Sequence, residues 1–209
     1  MLWLVLVCSA VISYLSGAVN GAIIASKYYY HKDIRQLGSG NAGLTNYQRV
    51  FGWKSAAVVI IIDVLKTVLP VIATRLIAGH FFGLADTGAV WSGLFVMLGH
   101  AFPVYYEFQG GKTVLAGGTV LFFVDWRVAL IAWGCFLLCV LLTRYVSLGS
   151  IAAGIAYPVA VAALGVGDTY TLILAALSGL LLVCRHHKNI WKLLHGQESK
   201  LQFHKEKKE

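Results

Sequence analysis

Six stretches of the chain, residues 2–26, 55–75, 89–106, 127–143, 150–166 and 169–185, are apolar runs carrying very few charges. About 20 apolar residues rising 1.5 Å each are what a helix needs to cross roughly 30 Å of hydrocarbon. Inside hydrocarbon every backbone N–H and C=O must be paired within the chain, so such runs are helices. Composition agrees, with 58% hydrophobic and only 12% charged residues among 209, beyond the roughly 45–50% apolar content of soluble domains. The expected fold class is all-α, a polytopic integral membrane protein with one membrane domain over residues 1–198 and a short basic tail over 199–209.

The first run has no basic segment before it, so it reads as a retained span rather than a cleaved signal peptide. Cys8, Cys135, Cys139 and Cys184 all fall in apolar spans, without metal or disulfide spacing, and read as small buried hydrophobes.

Between Lys112 and Arg127 lies a shorter apolar piece, TVLAGGTVLFFVD, either a re-entrant arm or a thin seventh span. Charge distinguishes the two. With seven spans and the N-terminus outside, one side receives the 27–54 loop, Lys112, Arg144 and the tail cations Arg185, Lys188, Lys192, Lys200, Lys205, Lys207 and Lys208, while the other receives only Arg75 and Arg127. That asymmetry is what the positive-inside rule expects, so seven helices, one of them short, with the C-terminus cytoplasmic, is the expected topology. The net charge of +8 is then accounted for largely by residues beside anionic lipid, with no need of a nucleic-acid partner. The end QESKLQFHKEKKE reads as frayed and solvated.

Polar chemistry collects in three segments. In LGSGNAGLTNYQRVFG, residues 37–52, the glycines let backbone N–H groups converge on an anion, Ser39, Asn41, Thr45 and Asn46 add donors, and Arg49 offers a bidentate fork. A phosphate or carboxylate is the natural guest; a polar connector is the plainer alternative. The spacing Gly38, Gly40, Gly43 mimics a dinucleotide fingerprint but lacks its βαβ setting. In GHAFPVYYEFQGGKT, residues 99–113, Gly110, Gly111, Lys112 and Thr113 approach a P-loop, yet Tyr106 stands where its first glycine belongs. His100 suits proton transfer, hydrogen-bond donation or packing, and Lys112 between glycine and threonine suits a phosphate ligand or an interfacial anchor. The third segment, TRYVSLGS at 143–150, adds Arg144, Ser147 and Ser150. RHHKNIWKLLHGQE at 185–198 reads as an interfacial helix with His186 and Asn189 on one face. Within the second span, Asp63 and Lys66 are three apart, either an architectural ion pair or a wall of the site. Signatures of serine, cysteine or metal hydrolysis are missing from the sequence. His80 and Asp86 are one residue too far apart for an acyltransferase H-x-x-x-x-D box and fall on the other side in this topology.

These segments resemble the motifs of the bacterial acyl-phosphate:glycerol-3-phosphate acyltransferases, the PlsY family. Gly38, Ser39, Gly40, Asn41, Gly43, Thr45, Asn46 and Arg49 match its G-S-G-N-x-G-x-T-N-x-x-R pattern, with Asp63 and Lys66 following. Gly99, His100, Phe102, Pro103, Phe108, Gly110, Gly111 and Lys112 match G-H-x-F-P-x-x-x-x-F-x-G-G-K. Tyr145, Ser147, Leu148 and Gly149 match Y-x-S-L-G, and Arg185, His186, Asn189, Ile190 and Leu193 match R-H-x-x-N-I-x-x-L. The chain departs at Gln109, where the family usually has lysine, at Thr113 and Thr67, where it has glycine, and at Leu44, where it has alanine. Losing the lysine removes one cation and is expected to weaken binding or shift substrate preference.

The resemblance implies a monomeric enzyme of the bacterial cytoplasmic (inner) membrane, its site facing the cytoplasm, needing no cofactor or metal. It would move a fatty acyl group from acyl-phosphate to the 1-hydroxyl of sn-glycerol 3-phosphate, giving lysophosphatidic acid and phosphate, the first acylation of phospholipid synthesis. His100, Asn46, Lys112 and His186 are the expected catalytic residues. Ser39, Asn46, Arg49, Lys112, His186 and Asn189 are expected on glycerol 3-phosphate, and Gly38, Gly40, Asn41, Gly43, Thr45, Gly110 and Gly111 on the acyl-phosphate. Asp63, Lys66, Arg144 and Ser147 are expected to be structural or to wall the site. Two other classes fit a polytopic chain: a transporter or channel for a phosphorylated solute, which needs polar residues through the whole membrane thickness, and a non-catalytic lipid-binding subunit.

Overall fold

The computed structural model describes residues 1–201; most of the expected basic tail, with Lys205, Lys207 and Lys208, lies outside the described residues. The helices are α1 (Leu2–Ala18), α2 (Gly21–Tyr30), α3 (Leu44–Phe51), α4 (Trp53–Phe82), α5 (Ala85–Ala101), α6 (Val114–Val124), α7 (Trp126–Thr143), α8 (Val146–Leu164), α9 (Thr169–Arg185) and α10 (His187–Leu194). Short 3₁₀ turns lie at Ile34–Gln36 and Val104–Tyr106. Among them are 5 stretches long and apolar enough to cross a membrane, or up to 6 when the bent pair α9–α10 is counted, while α6 is apolar but shorter.

The expected first span, 2–26, is broken. The helix stops at Ala18 and restarts at Gly21, because the fully buried Asn20 caps the second piece by accepting from Ile23 N at 3.0 Å. The break leaves Val19 O and Gly21 N free of helical partners, and both turn to side chains of α4. Lys66 Nζ donates to Val19 O at 2.6 Å, and Gly21 N donates to Asp63 Oδ1 at 3.1 Å. Pro70, inside α4, has no N–H for the carbonyl four residues before it. That carbonyl, Lys66 O, instead accepts from Ser16 Oγ of α1 at 2.7 Å.

α4, the second expected span, runs to Phe82, past the expected end at 75, until Gly83 in the left-handed conformation stops it. α5, the third expected span, starts at Ala85, four residues before the expected 89, and ends at Ala101. Ends alternate in space. α5 and α6 meet at the loop 102–113, α4 and α5 at the opposite end, where Arg75 donates to Phe123 O at the end of α6 (2.8 Å) and pairs with Asp86 at 3.2 Å. On the first side again, Leu201 N donates to Arg144 O at 2.7 Å, bringing the tail beside the α7–α8 turn. The expectation of a solvated end from Gln197 onward is thus corrected for its first residues.

The central core joins α4 through α9 through Val71, Val90, Val120, Val128, Ala132 and Val161. Leu69, Leu76, Leu141 and Leu142 stand exposed on the outer surface, as a lipid-facing rim requires. Cys8 and Cys184 are also on that surface, a correction to their expected burial, with Cys135 and Cys139 partly covered. α1 and α5 approach backbone to backbone: a Cβ on Gly99 would lie against Tyr14 O and Ala18 N, and one on Gly17 against Val96 O. Ser13 and Ser92 join across the same seam at 2.8 Å. Gly99→Val is expected to lower thermal stability in detergent by about 1–3 kcal/mol or more, whereas Gly134→Val, where nothing lies within 4 Å, should change it little; differential scanning fluorimetry of the pair distinguishes seam packing from general intolerance.

Candidate functional site

The 37–46 loop is held by one amide. Asn46, buried at the start of α3, donates to Ile34 O (3.3 Å), Leu37 O (2.9 Å) and Asn41 O (3.0 Å) and accepts from Ser39 N at 2.8 Å. Both ends of the amide are therefore committed to the loop, so Asn46 shapes the anion cradle from beneath. Ser39, Thr45 and Arg49 are exposed above it, with Gly38 and Gly40 at φ 58° and 72°, the left-handed region. Asn20 ties the loop to the break in the first span by donating to Ala42 O at 3.0 Å.

The 102–113 loop is clamped from α9. Arg185 Nε donates to Gly111 O (3.1 Å) and Nη2 to Gly110 O (3.3 Å), with the guanidinium 4.9 Å from the centre of the Phe102 ring. Gly111 N donates back to His100 O at 3.0 Å. Arg35 adds a second clamp, donating to Tyr106 O at 3.1 Å while its other nitrogens grip Asp33. That pairing with Arg35 holds the Asp33 carboxyl down at about 2.

Lys112 stands where the segments meet. Its Nζ donates to Asn189 Oδ1 at 2.6 Å, Asn189 Nδ2 donates to Glu198 Oε1 at 2.8 Å, and Ser147 Oγ donates to the same oxygen at 2.8 Å. Burial pushes the Lys112 ammonium down to about 8, opposed by Glu198 and helped by Arg49, Lys192 and Arg185. Four cations thus crowd one end of the bundle, with Glu198 the carboxylate among them. His186, buried one turn before Asn189, has Nδ1 at 2.8 Å from Leu182 O; a carbonyl only accepts, so Nδ1 carries the proton. Arg144 is exposed and lends the site only its carbonyl.

Asp63 and Lys66 pair at 2.8 Å, and the ammonium also contacts His100 Nδ1 at 2.8 Å. These charges satisfy each other and the backbone, so they do not line a polar path through the bundle. Sequence reasoning brought His100, Lys112, His186, Asn189 and the first loop to one end, where the structure also places them. It missed Asn20, Arg35, Arg185 as a clamp, and Glu198. An asparagine in an apolar run was the available signal for Asn20, since an unpaired amide in hydrocarbon is costly; Glu198 gave none.

Thr113, where the resembled family usually has glycine, sits at φ 66°, fully buried, with its hydroxyl unpartnered. A β-branched residue there is strained, so no favourable contact explains the departure.

A sequence model described as glycerol-3-phosphate acyltransferase matches residues 7–196. A glycerol-3-phosphate acyltransferase of Thermoanaerobacter is 40% identical over 195 residues, 93% of this chain and 95% of the relative. One of Staphylococcus aureus is 34% identical over 203 residues, 96% of this chain and 100% of the relative. Among solved structures, PlsY, an integral membrane glycerol 3-phosphate acyltransferase, in its glycerol 3-phosphate form superimposes with TM-score 0.83 at 35% identity, covering 94% of this chain and 96% of that one. Its lysophosphatidic acid form gives 0.82 at 34% identity, over 94% and 95%.

Two measurements follow from this geometry. Affinity for sulfate, whose charge is constant over the range, is expected to fall as pH rises through about 8, because the free protein then loses the Lys112 proton; Lys112→Arg should move that loss upward in calorimetric titrations. Thr113→Gly is expected to raise stability by about 1 kcal/mol, relief of the left-handed strain outweighing the added chain entropy, as read by the thermal midpoint.

Proposed function

The chain belongs to the glycerol-3-phosphate acyltransferase family, and on that premise we propose which donor it uses, how the site divides its labour and how the helices lie in the membrane. It is an integral membrane acyltransferase. The donor is an acyl-phosphate and the product pair is lysophosphatidic acid and inorganic phosphate. The observation that carries this reading is the cluster of Arg49, Lys112, Arg185 and Lys192 around two glycine-rich loops, a charge density suited to two phosphate-bearing substrates held side by side.

An acyl-phosphate is an activated mixed anhydride, so no protein nucleophile is required. The site has to hold two anions against their repulsion, align the hydroxyl with the carbonyl carbon and stabilise charge on the carbonyl oxygen. Ser39, Arg49, Lys112, His186 and Asn189 take the phosphate of glycerol 3-phosphate. The backbone of Gly38, Asn41, Thr45 and Gly110 cradles the acyl-phosphate head, while Gly40, Gly43 and Gly111 give their N–H groups to carbonyls of Leu37, Asn41 and His100 and so shape the loops, as Asn46 does for the first loop. The acyl chain lies along the apolar cleft lined by Met97, Val114, Gly118, Trp133, Tyr157 and Leu182, which begins two residues from Lys112. The acceptor oxygen bonds to the carbonyl carbon, the bond from that carbon to the phosphate oxygen breaks, and the hydroxyl proton passes to the departing phosphate.

The chain crosses the bacterial inner membrane seven times with the N-terminus outside and the site facing the cytoplasm, acting as a monomer. Support comes from α6: it starts beside Lys112 and ends at Val124, with Phe123 O against Arg75 at the opposite end of the bundle. The contact between Leu201 and Arg144 also keeps the tail on the site's side, as seven passes require.

Purified protein given palmitoyl-phosphate is expected to release phosphate only when glycerol 3-phosphate is added, in step with lysophosphatidic acid formed. Release independent of the acceptor, or equal product from acyl-CoA, overturns the donor assignment. Lys112→Ala should lower kcat/KM for glycerol 3-phosphate on the order of 100-fold, as loss of a charged donor to a transferring anion does.

A further inference from the structure

Three acceptors surround the Lys66 ammonium: Asp63 Oδ1 at 2.8 Å, Val19 O at 2.6 Å and His100 Nδ1 at 2.8 Å. An ammonium has three N–H donors and no lone pair. A carboxylate and a carbonyl each take one proton, which leaves the third for His100 Nδ1. That nitrogen must then present its lone pair, because a protonated Nδ1 would set N–H against N–H. A neutral imidazole accepting at Nδ1 carries its hydrogen on Nε2.

Nε2 lies on the side of the glycine loop, where a Cβ added to Gly111 would run into it. It makes no hydrogen bond among the described residues, and it is not one of the sealed, unpartnered polar atoms, which are Tyr47 Oη, Thr113 Oγ1 and Tyr157 Oη. Other histidines take the opposite form: His186, His187 and His195 each point Nδ1 at a carbonyl, of Leu182, Cys184 and Trp191, and so carry the hydrogen there. His100 differs from these three because its Nδ1 faces a cation.

We propose that Lys66 is a positioning residue that fixes His100 as the neutral Nε2–H tautomer, so that His100 serves acyl transfer as a hydrogen-bond donor to an oxygen of the acyl-phosphate and not as a proton acceptor. This rests on the reading of the site given above. The chain of cause runs from sequence to chemistry: Asn20 breaks the first span, the break frees Val19 O, and that carbonyl with Asp63 orients the ammonium whose third proton selects the tautomer. With the Nε2 lone pair absent, the proton of the attacking hydroxyl has the departing phosphate as its acceptor. The donated Nε2–H strengthens as negative charge develops on the substrate oxygen, which is the condition for a contribution to rate.

The test begins with unaltered full-length protein, labelled with ¹⁵N-histidine in nanodiscs and the His100 resonance assigned by its loss in His100→Gln. His100 is expected to show hydrogen on Nε2 alone, with Nδ1 shifted as a hydrogen-bond acceptor, while His186 shows hydrogen on Nδ1. Lys66→Met should release the constraint, giving a mixture of His100 tautomers. Hydrogen on Nδ1, or on both nitrogens, in the unaltered protein overturns the proposal whatever the protein catalyses, so a failed acyltransferase assay and a failed tautomer assignment are separate results. Activity supplies the second arm. His100→Gln can place an amide N–H near the position of Nε2–H and is expected to lose roughly tenfold in kcat, against on the order of 100-fold or more for His100→Ala. Equal loss in the two variants, with the KM for glycerol 3-phosphate unchanged in both, would point to proton abstraction by His100 and overturn its role as donor.

Discussion

A charged lysine buried inside a membrane bundle is the constraint around which the rest of this protein is arranged. An ammonium in hydrocarbon is tolerable only with all its protons received, and Lys66 has three receivers from three different elements. One of them exists because the first span is interrupted, and Gly21 N, freed by the same interruption, steadies the carboxylate. Even Pro70, which deprives Lys66 O of its helical partner, is answered by Ser16 from the first helix. The result ties α1, α2, α4 and α5 together at the depth of the site, with His100 at the end of the chain of contacts.

Above that anchor the site is built from loops held by side chains whose own polar groups are spent inside the protein. Asn46 closes the first loop and Arg185 the second. Such prior commitment, which also spends the N–H groups of Ser39, Gly40, Gly43 and Gly111 within the protein, leaves the side chains of Ser39, Arg49 and Lys112 to meet a ligand without a large ordering cost. Glu198 partly balances the positive charge through Asn189 and Ser147. This placement makes the first residues after α10 part of the site's frame rather than a free end.

Legibility in the sequence followed the physics of each signal. Apolar runs are long-range averages, so α4, α5, α7, α8 and α9 were readable despite shifted ends. Their boundaries depended on single residues, such as Gly83 stopping α4 or Val146 starting α8 earlier than the expected 150. Glycine-rich segments with hydroxyls and cations announced anion chemistry through residue type alone. Pattern singled out Asn46 as a ligand residue, but its amide turns inward onto the loop, a direction that no spacing encodes. Asn20 was concealed in an apolar run, and Glu198 in a run that resembled a solvated tail.

By itself the sequence determined that the chain is a bundle of membrane helices and that its phosphate-seeking groups gather at one end, because hydropathy, charge asymmetry and motif order are properties of the covalent chain. Only the tertiary structure decided what each of those groups does. Whether Asn46 faces ligand or loop, whether Asp63 and Lys66 line a path or neutralise each other, and which nitrogen of His100 holds the hydrogen all depend on partners brought together from distant positions, Val19, Asp63, Lys66 and His100 among them. Hydrogen-bond direction is a relation between two groups in space, and a donor's role is fixed only when its acceptor has arrived.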